Sequence, residues 1–293
     1  MIIVSFDIEE WYINYLKSGS KDNNIVFDSY LDAILKKLDD NQLKATFFCV
    51  GEMGRLFPHV IRKIQDAGHE IGCHSNIHTW LNKMSVDECR EDTRRAIGSL
   101  EQCIGSKVKS YRAPAFSIGA SNTWAFQILI EYGIERDASV FPLKRDFGGF
   151  ENFGQKQPCI ICYNGLRLKE FPVSTSKLLG KEIVYSGGGY FRFYPYSIVN
   201  SLLEKSLYSM SYFHIGDLLP ETQKVMSKQQ YESYYKEKGS LLNRYLRYFK
   251  SNFGKKSAFD KMCKLLDDKE LYLVSIQEAD KLIDWESVDT VVL

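Results

Sequence analysis

The sequence predicts an α/β protein built on a parallel sheet or barrel. Two observations carry that prediction. From Met1 to about Ser139, apolar runs of strand character alternate with stretches whose apolar residues recur at helical spacing. The polar runs rich in Asp, Glu, His and Arg fall just after the strands, where α/β folds place their sites. The 293 residues are read as one domain over 1–293, with an insertion around 141–165 and a helical C-terminal part.

Met1 to Ile8 reads as a buried strand ending in Asp7-Ile8-Glu9-Glu10-Trp11-Tyr12. Three carboxylates at a strand end are costly to bury without a cation. Asp28 or Ser29 can cap a helix through Tyr30, Ile34, Leu35 and Leu38. Lys44 to Val50 is a second strand, and Pro58 to Ala67 a short helix closed by Gly68. A short strand then delivers His74-Ser75-Asn76-Ile77-His78. One helical turn after it would put both imidazoles on one face.

Ser85 with Glu88 makes a capping box for a helix to about Ile104. A strand from Lys109 runs into the rigid turn Arg112-Ala113-Pro114-Ala115-Phe116. A helix covers about Asn122 to Glu131, and a strand end follows at Gly133 to Ser139. From Phe141 to Gly165 the alternation lapses into a long loop or an insertion with short strands, expected to border the cleft. Leu166 to Val173 resumes as a strand, and Gly187 to Arg192 reads as a flexible loop. Pro195 to Leu207 is a helix, Tyr208 to Phe213 a strand delivering His214, and the remainder is largely helical.

Charge and cysteine content narrow the function. A net charge of +1 gives no reason to expect nucleic acid or an anionic membrane as partner. Seven cysteines without disulfide-scaffold spacing include one CxxC, Cys159 to Cys162, whose apolar filling indicates a strand. No leader and no transmembrane segment is read, so the cytoplasm is the expected compartment.

The polar strand ends form one inventory: Asp7 with Glu9 or Glu10, His74 and His78, Arg112, Asp137 and His214. Strand alternation puts Asp7 and Glu9 on one face. Glu9, His74 and His78 would form a two-histidine, one-carboxylate site with open positions. A second carboxylate beside it can act as general base, and a distant protonated histidine can donate to a leaving amine. This is the inventory of a metal-assisted amide hydrolase.

The ordered set resembles the polysaccharide deacetylases of the NodB-homology type, carbohydrate esterase family 4. Ser5-Phe6-Asp7-Ile8-Glu9 stands for the first motif, T-F-D-D-G. His74-Ser75-Asn76-Ile77-His78 matches H-[ST]-x-x-H in full, and Arg112-Ala113-Pro114-Ala115 matches most of R-x-P-[YF]. Asp137-Ala138-Ser139 and Tyr212-Phe213-His214 stand for the later Asp and L-x-H motifs. Phe171-Pro172-Val173 and Gly188 to Arg192 resemble a bacterial subgroup linked to surface or exported polysaccharide synthesis.

The resemblance implies a distorted (β/α) barrel of about seven strands and a metal-dependent carbohydrate N-deacetylase. Asp7 would be the base and Arg112 its orienting cation. His214, held by Asp137, would be the acid, and the Ala115 N–H would face the oxyanion. His74, His78 and a carboxylate would hold one divalent ion, most readily zinc. Where the family has a second acid adjoining the first, this chain has Ile8, so Glu9 or Glu10 must serve, and alternation favours Glu9. Trp11, Tyr190 and Arg192 are candidate substrate contacts. The expected partner is an amino-sugar-containing glycan or its precursor. Hydrolysis of another C–N bond (a cyclic amide or ureide) and an inactive carbohydrate-binding relative are the competing readings.

Overall fold

The computed structural model describes residues 1–22, 24–145, 148–221, 224–235 and 237–293. Its strands are β1 (Ile2–Ile8), β2 (Thr46–Cys49), β3 (Glu70–Cys73), β4 (Ser110–Tyr111), β5 (Arg136–Asp137), β6 (Cys159–Tyr163), β7 (Leu166–Glu170), β8 (Thr175–Leu178), β9 (Lys181–Val184), β10 (Ser209–His214), β11 (Leu273–Val274) and β12 (Thr290–Val292). The main sheet runs β10-β1-β2-β3-β4-β5-β7-β6-β12. Its first seven strands, β10 through β7, are mutually parallel. β6 then pairs antiparallel with β7, and β11 pairs with the start of β1. The fold is thus the α/β, mostly parallel, barrel-like arrangement that the alternation predicts.

Among the described residues the barrel does not close by a ladder. Side chains span the gap between β7 and β10 instead. Tyr208 Oη donates to Pro172 O at 2.7 Å, and Ser174 Oγ accepts from Met210 N at 2.6 Å. Separately, β8 and β9 form a two-stranded hairpin.

Parity along the strands divides the residues into two shells. On β1, Val4, Phe6 and Ile8 face the helices in the large core. Ile3 belongs to a small interior cluster with Phe48, Ala138, Phe171, Met210 and Val274. Ser5 and Asp7 share the parity of Ile3 and so point inward above it. On β3 the inward positions are Glu70, Gly72 and His74. A Cβ on Gly72 would come within 2.6 Å of the Phe48 ring that fills the centre.

Below this apolar plug, at the N-terminal ends of the strands, a polar network is complete. Glu70 accepts from Ser110 Oγ at 2.5 Å and from Arg136 Nη2 at 3.2 Å through one oxygen. The other accepts from Thr46 Oγ1 at 2.6 Å and from Gln277 N at 3.0 Å. Arg136 continues to Asp280 at 3.0 Å, and Lys169 meets Asp280 at 2.5 Å. These bonds dock the helix Ile276–Leu282 across the barrel floor. Its start is fixed by a Ser275–Glu278 capping box.

Between Asp137 and β6 there is no helix or strand among the described residues; Asp146 and Phe147 lie outside them. The segment folds back on the turn after β4, where Phe116 O accepts from Gly149 N at 2.9 Å. Residues Gly188–Phe193, expected as a loop, form a helix. Its glycines serve packing: a Cβ on Gly187 would lie 2.2 Å from the Tyr212 ring.

Candidate active site

At the C-terminal end of the barrel the inward polar residues converge. Asp7 and His214 are register partners on β1 and β10. Parallel neighbours with the same parity bring their side chains together, and His214 Nε2 lies 3.6 Å from Asp7 Oδ2. His214 therefore comes from the adjoining strand, not from an opposite wall. Arg112, one residue past β4, reaches across the interior. Its Nη1 donates to Asp7 Oδ1 at 2.7 Å and its Nη2 to Ser5 Oγ at 2.9 Å. Both partners of this ion pair are buried, and the guanidinium stacks 4.2 Å above the Phe48 ring.

Burial works to raise the Asp7 carboxyl, but Arg112, His74 and His214 outweigh it and hold Asp7 below the usual carboxylate range. A nearby cation acts in this way because it favours the charged form. Asp7 is thus ionised at neutral pH.

The two imidazoles meet without a helical turn. Left-handed backbone at Ser75 (φ 58°) and His78 (φ 60°) folds the loop back on itself. Asp92 supports that loop by accepting from Asn76 N at 2.9 Å. Gly51 lets it pack closely, since a Cβ there would lie 2.8 Å from Asn76 Oδ1. His74 Nδ1 donates to Arg112 O at 2.7 Å. That bond fixes the tautomer and leaves Nε2 with a free lone pair. Burial lowers His74 to about 4 despite the pull of Asp7, so it is neutral.

Glu9, His74 and His78 each offer a ligand atom, and all three lie within 4.8 Å of one another. Glu9 Oε2 is buried, in direct contact with His78 Nε2 and 3.9 Å from His74 Nε2. Lone pairs so placed repel unless a proton or cation lies among them. Two imidazole nitrogens and one carboxylate oxygen fit a divalent ion and leave coordination positions open. Glu10 points elsewhere: its Oε1 accepts from Gly216 N at 2.6 Å. Burial and the charge of Glu9 push its carboxyl up to about 7.

The partner of His214 is Asp217. His214 Nδ1 lies 3.3 Å from Asp217 Oδ2, one helical turn along. Burial alone would lower the imidazole, but Asp217, Glu9 and Asp7 together push it up to about 10. Asp137, expected in that role, cannot reach it. β5 points Arg136 and Ala138 inward, so Asp137 faces the other way, four strands from β1 along the sheet. Asp137 instead accepts from Ser139 Oγ at 2.6 Å, and Ser139 Oγ accepts from Ala113 N at 2.8 Å. Beside it lies Glu170, its register partner. Burial raises both carboxyls, and the charge of Asp137 adds to the rise at Glu170.

Two further expectations are corrected. Trp11 is fully buried, its Nε1 bonded to Asp28 at 3.0 Å, and it offers no face to a sugar. Arg192 is buried as well and committed to protein groups. Its Nη1 donates to Ser251 O at 3.0 Å and Phe253 O at 2.9 Å, and its Nη2 meets Asp217 at 3.1 Å. Tyr190 is exposed, with its ring 6.2 Å from that of Phe141. Ala115 holds left-handed backbone (φ 54°) in the turn after Arg112. Its carbonyl accepts from Arg145 at 3.3 Å, and Arg145 lies over the Phe141 ring. Asp92, Arg145 and Asp217 were not singled out as site residues in the sequence. Only Asp217 had a local signal, its i, i+3 spacing from His214.

Comparison with known proteins follows this geometry. Residues 18–136 match the polysaccharide deacetylase family model, and residues 138–269 match a domain of unknown function (DUF3473). A peptidoglycan-N-acetylglucosamine deacetylase of Bacillus cereus is 37% identical over 81 residues, covering 28% of this chain and 30% of its own. A chitooligosaccharide deacetylase of Azorhizobium caulinodans is 32% identical over 102 residues, covering 34% and 46%. The chain thus spans less than half the length of these curated relatives. In fold, it is similar to a candidate polysaccharide deacetylase of Mycobacterium smegmatis, with a TM-score of 0.63 at 17% identity, covering 100% of this chain and 92% of the other. It is also similar to a carbohydrate esterase family 4 pseudoenzyme of Bacillus anthracis, with a TM-score of 0.51 at 13% identity over 95% and 64% of the two chains. The histidine pair and Arg112 fall inside the segment that matches the polysaccharide deacetylase model, His214 and Asp217 fall inside the second matched segment, and over the first of these the chain is similar to polysaccharide deacetylases.

Proposed function

We propose that this chain is a metal-dependent carbohydrate N-deacetylase, removing N-acetyl groups from an amino sugar of a surface polysaccharide or its precursor. One observation carries the reading. The buried Arg112–Asp7 pair stands against the Glu9, His74 and His78 donor set, with the His214 imidazole 3.6 Å from Asp7. The curated relatives, both deacetylases of amino-sugar glycans by name, support the substrate class. Because His74, His78 and Arg112 lie in the first matched segment, His214 lies in the second, and Asp7 and Glu9 precede both, we treat 1–293 as one catalytic unit.

Glu9, His74 and His78 would hold the ion, and the nitrogen-rich donor set favours zinc. Bound there, it would supply Lewis acidity to the acetyl carbonyl and to water. Asp7, kept ionised by Arg112, takes a proton from the attacking water. The Ala115 N–H faces the oxygen that becomes negative. His214, kept protonated by Asp217, gives a proton to the sugar nitrogen as the C–N bond breaks. Acetate and a free amine leave. Tyr190 is the exposed aromatic proposed to meet the sugar.

The test is acetate release from N-acetylated chito-oligosaccharide, nucleotide-linked and lipid-linked amino sugars. The chain is first stripped by chelator and then resupplied with zinc. Release that depends on zinc and disappears in Asp7→Asn is expected. Release of ammonia or ring opening from cyclic amides without acetate would overturn the substrate reading. Glycan binding without turnover would identify an inactive relative, as the pseudoenzyme of the same fold makes worth testing.

A further inference from the structure

The helix Leu241–Asn252 is built the wrong way out. A surface helix normally turns its apolar stripe to the core. Here Leu241, Leu242, Tyr245, Leu246 and Phe249, with Phe253 just beyond, are 42% to 68% exposed. Their spacing of i, i+1, i+4, i+5, i+8 and i+12 makes one continuous stripe. The half-buried inner positions are Asn243, Arg244, Arg247 and Tyr248. The helix contributes no buried residue to the core.

Its shape is nonetheless held. Ser240 Oγ accepts from Asn243 N at 3.1 Å to cap the start. Arg192 holds the carbonyls at the other end. The exposed ring of Phe193 packs 5.3 Å from Phe253 and extends the stripe.

Charge identifies what covers the stripe. Residues 238–256 contain no Asp or Glu, and Lys238, Lys250 and Lys256 are exposed beside the stripe, whereas Arg244 and Arg247 lie on the inner side and Lys255 is buried. Two copies facing each other through this segment would repel. A bare sugar would stack on aromatic rings but gain little from three leucines. Leucine and phenylalanine flanked by cations match an anionic bilayer surface, where acyl chains receive the stripe and headgroups receive the charges. Among the described residues no helix is long and apolar enough to cross a membrane. We propose that Leu241–Asn252 is an interfacial helix that docks the chain on an anionic phospholipid surface. The contact would lie close to the candidate site, since Arg192 links the helix end to Asp217 and hence to His214.

The experiment is co-sedimentation of the full chain with vesicles of equimolar phosphatidylglycerol and phosphatidylcholine, against phosphatidylcholine alone. Its readout is binding, so it does not depend on the deacetylase reading. Wild type should sediment with the anionic vesicles only. Binding should weaken at about 1 M salt, where charges are screened within roughly 3 Å. The double variant L246Q/F249Q should bind at least about tenfold more weakly, because it withdraws two apolar side chains from the contact. Circular dichroism and melting temperature should be unchanged, since both side chains are exposed. Equal sedimentation with phosphatidylcholine alone, no sedimentation with either, or undiminished binding by the folded variant would overturn the proposal. So would self-association of wild type in gel filtration that L246Q/F249Q abolishes, which would assign the stripe to a second copy.

Discussion

The two ends of the barrel carry buried polar clusters of similar composition and opposite character. At the floor, both oxygens of Glu70 are bonded, and Arg136, Lys169 and Asp280 neutralise one another. At the mouth, Asp7 is answered by Arg112, but Glu9 Oε2 faces only two imidazoles. A closed network fixes a helix in place. The other gathers a carboxylate and two imidazoles that fit a cation, with an ionised base beside them. Burial alone does not mark a site; incomplete satisfaction at the C-terminal strand ends does.

The comparison can be broken by removing one member from each end. The largest effect is expected at the mouth. Asp7→Asn should lower turnover by roughly 10³-fold or more in an acetate assay, while zinc binding persists because Asp7 is outside the donor set. At the floor, Arg136→Ala should cost about 3–5 kcal/mol in denaturant unfolding, since Glu70 and Asp280 lose their buried partner. Turnover per folded molecule should not change. A loss of turnover with stability intact would place Arg136 in the chemistry.

Smaller effects sharpen the assignment of the acid. In the proposed mechanism His214 must be protonated, so the rate should fall as pH rises through its pKa. Asp217 raises that pKa; Asp217→Asn should therefore move the alkaline limb to lower pH. The rate at pH 8 should fall by roughly tenfold to a hundredfold. Asp137→Asn should leave the alkaline limb in place, because Asp137 contacts Ser139 and not His214. If the two variants exchange behaviours, the pairing is wrong. The smallest effect belongs to Trp11→Phe, which removes one hydrogen bond to Asp28. A loss of about 1 kcal/mol in stability and unchanged KM are expected; a raised KM would restore it to the substrate surface.

Much of this was legible because it depends on local pattern. Strand parity chose Glu9 over Glu10 as the residue grouped with the imidazoles, and the alternation of elements gave the parallel sheet. Reading Asp137 as the partner of His214 failed by one residue of parity, which the two-residue strand β5 is too short to reveal. Trp11 and Arg192 look like ligand-binding types in sequence, but both are buried, Trp11 is bonded to Asp28, and carbonyl partners 58 or more residues away commit Arg192 elsewhere. The histidine pair converges through left-handed backbone at Ser75 and His78, for which serine gives no signal and histidine only a modest enrichment. The cationic segment around Leu241–Asn252 vanishes in a whole-chain charge of +1, since averaging removes any local excess.

The open mouth and closed floor are tested most directly by calorimetric titration of the metal-free chain with zinc. Wild type should take up one ion tightly per chain. His78→Gln should lose that binding, and Glu70→Gln, once shown to be folded, should keep it. Equal tight binding by His78→Gln, or its loss in folded Glu70→Gln alone, would contradict the account.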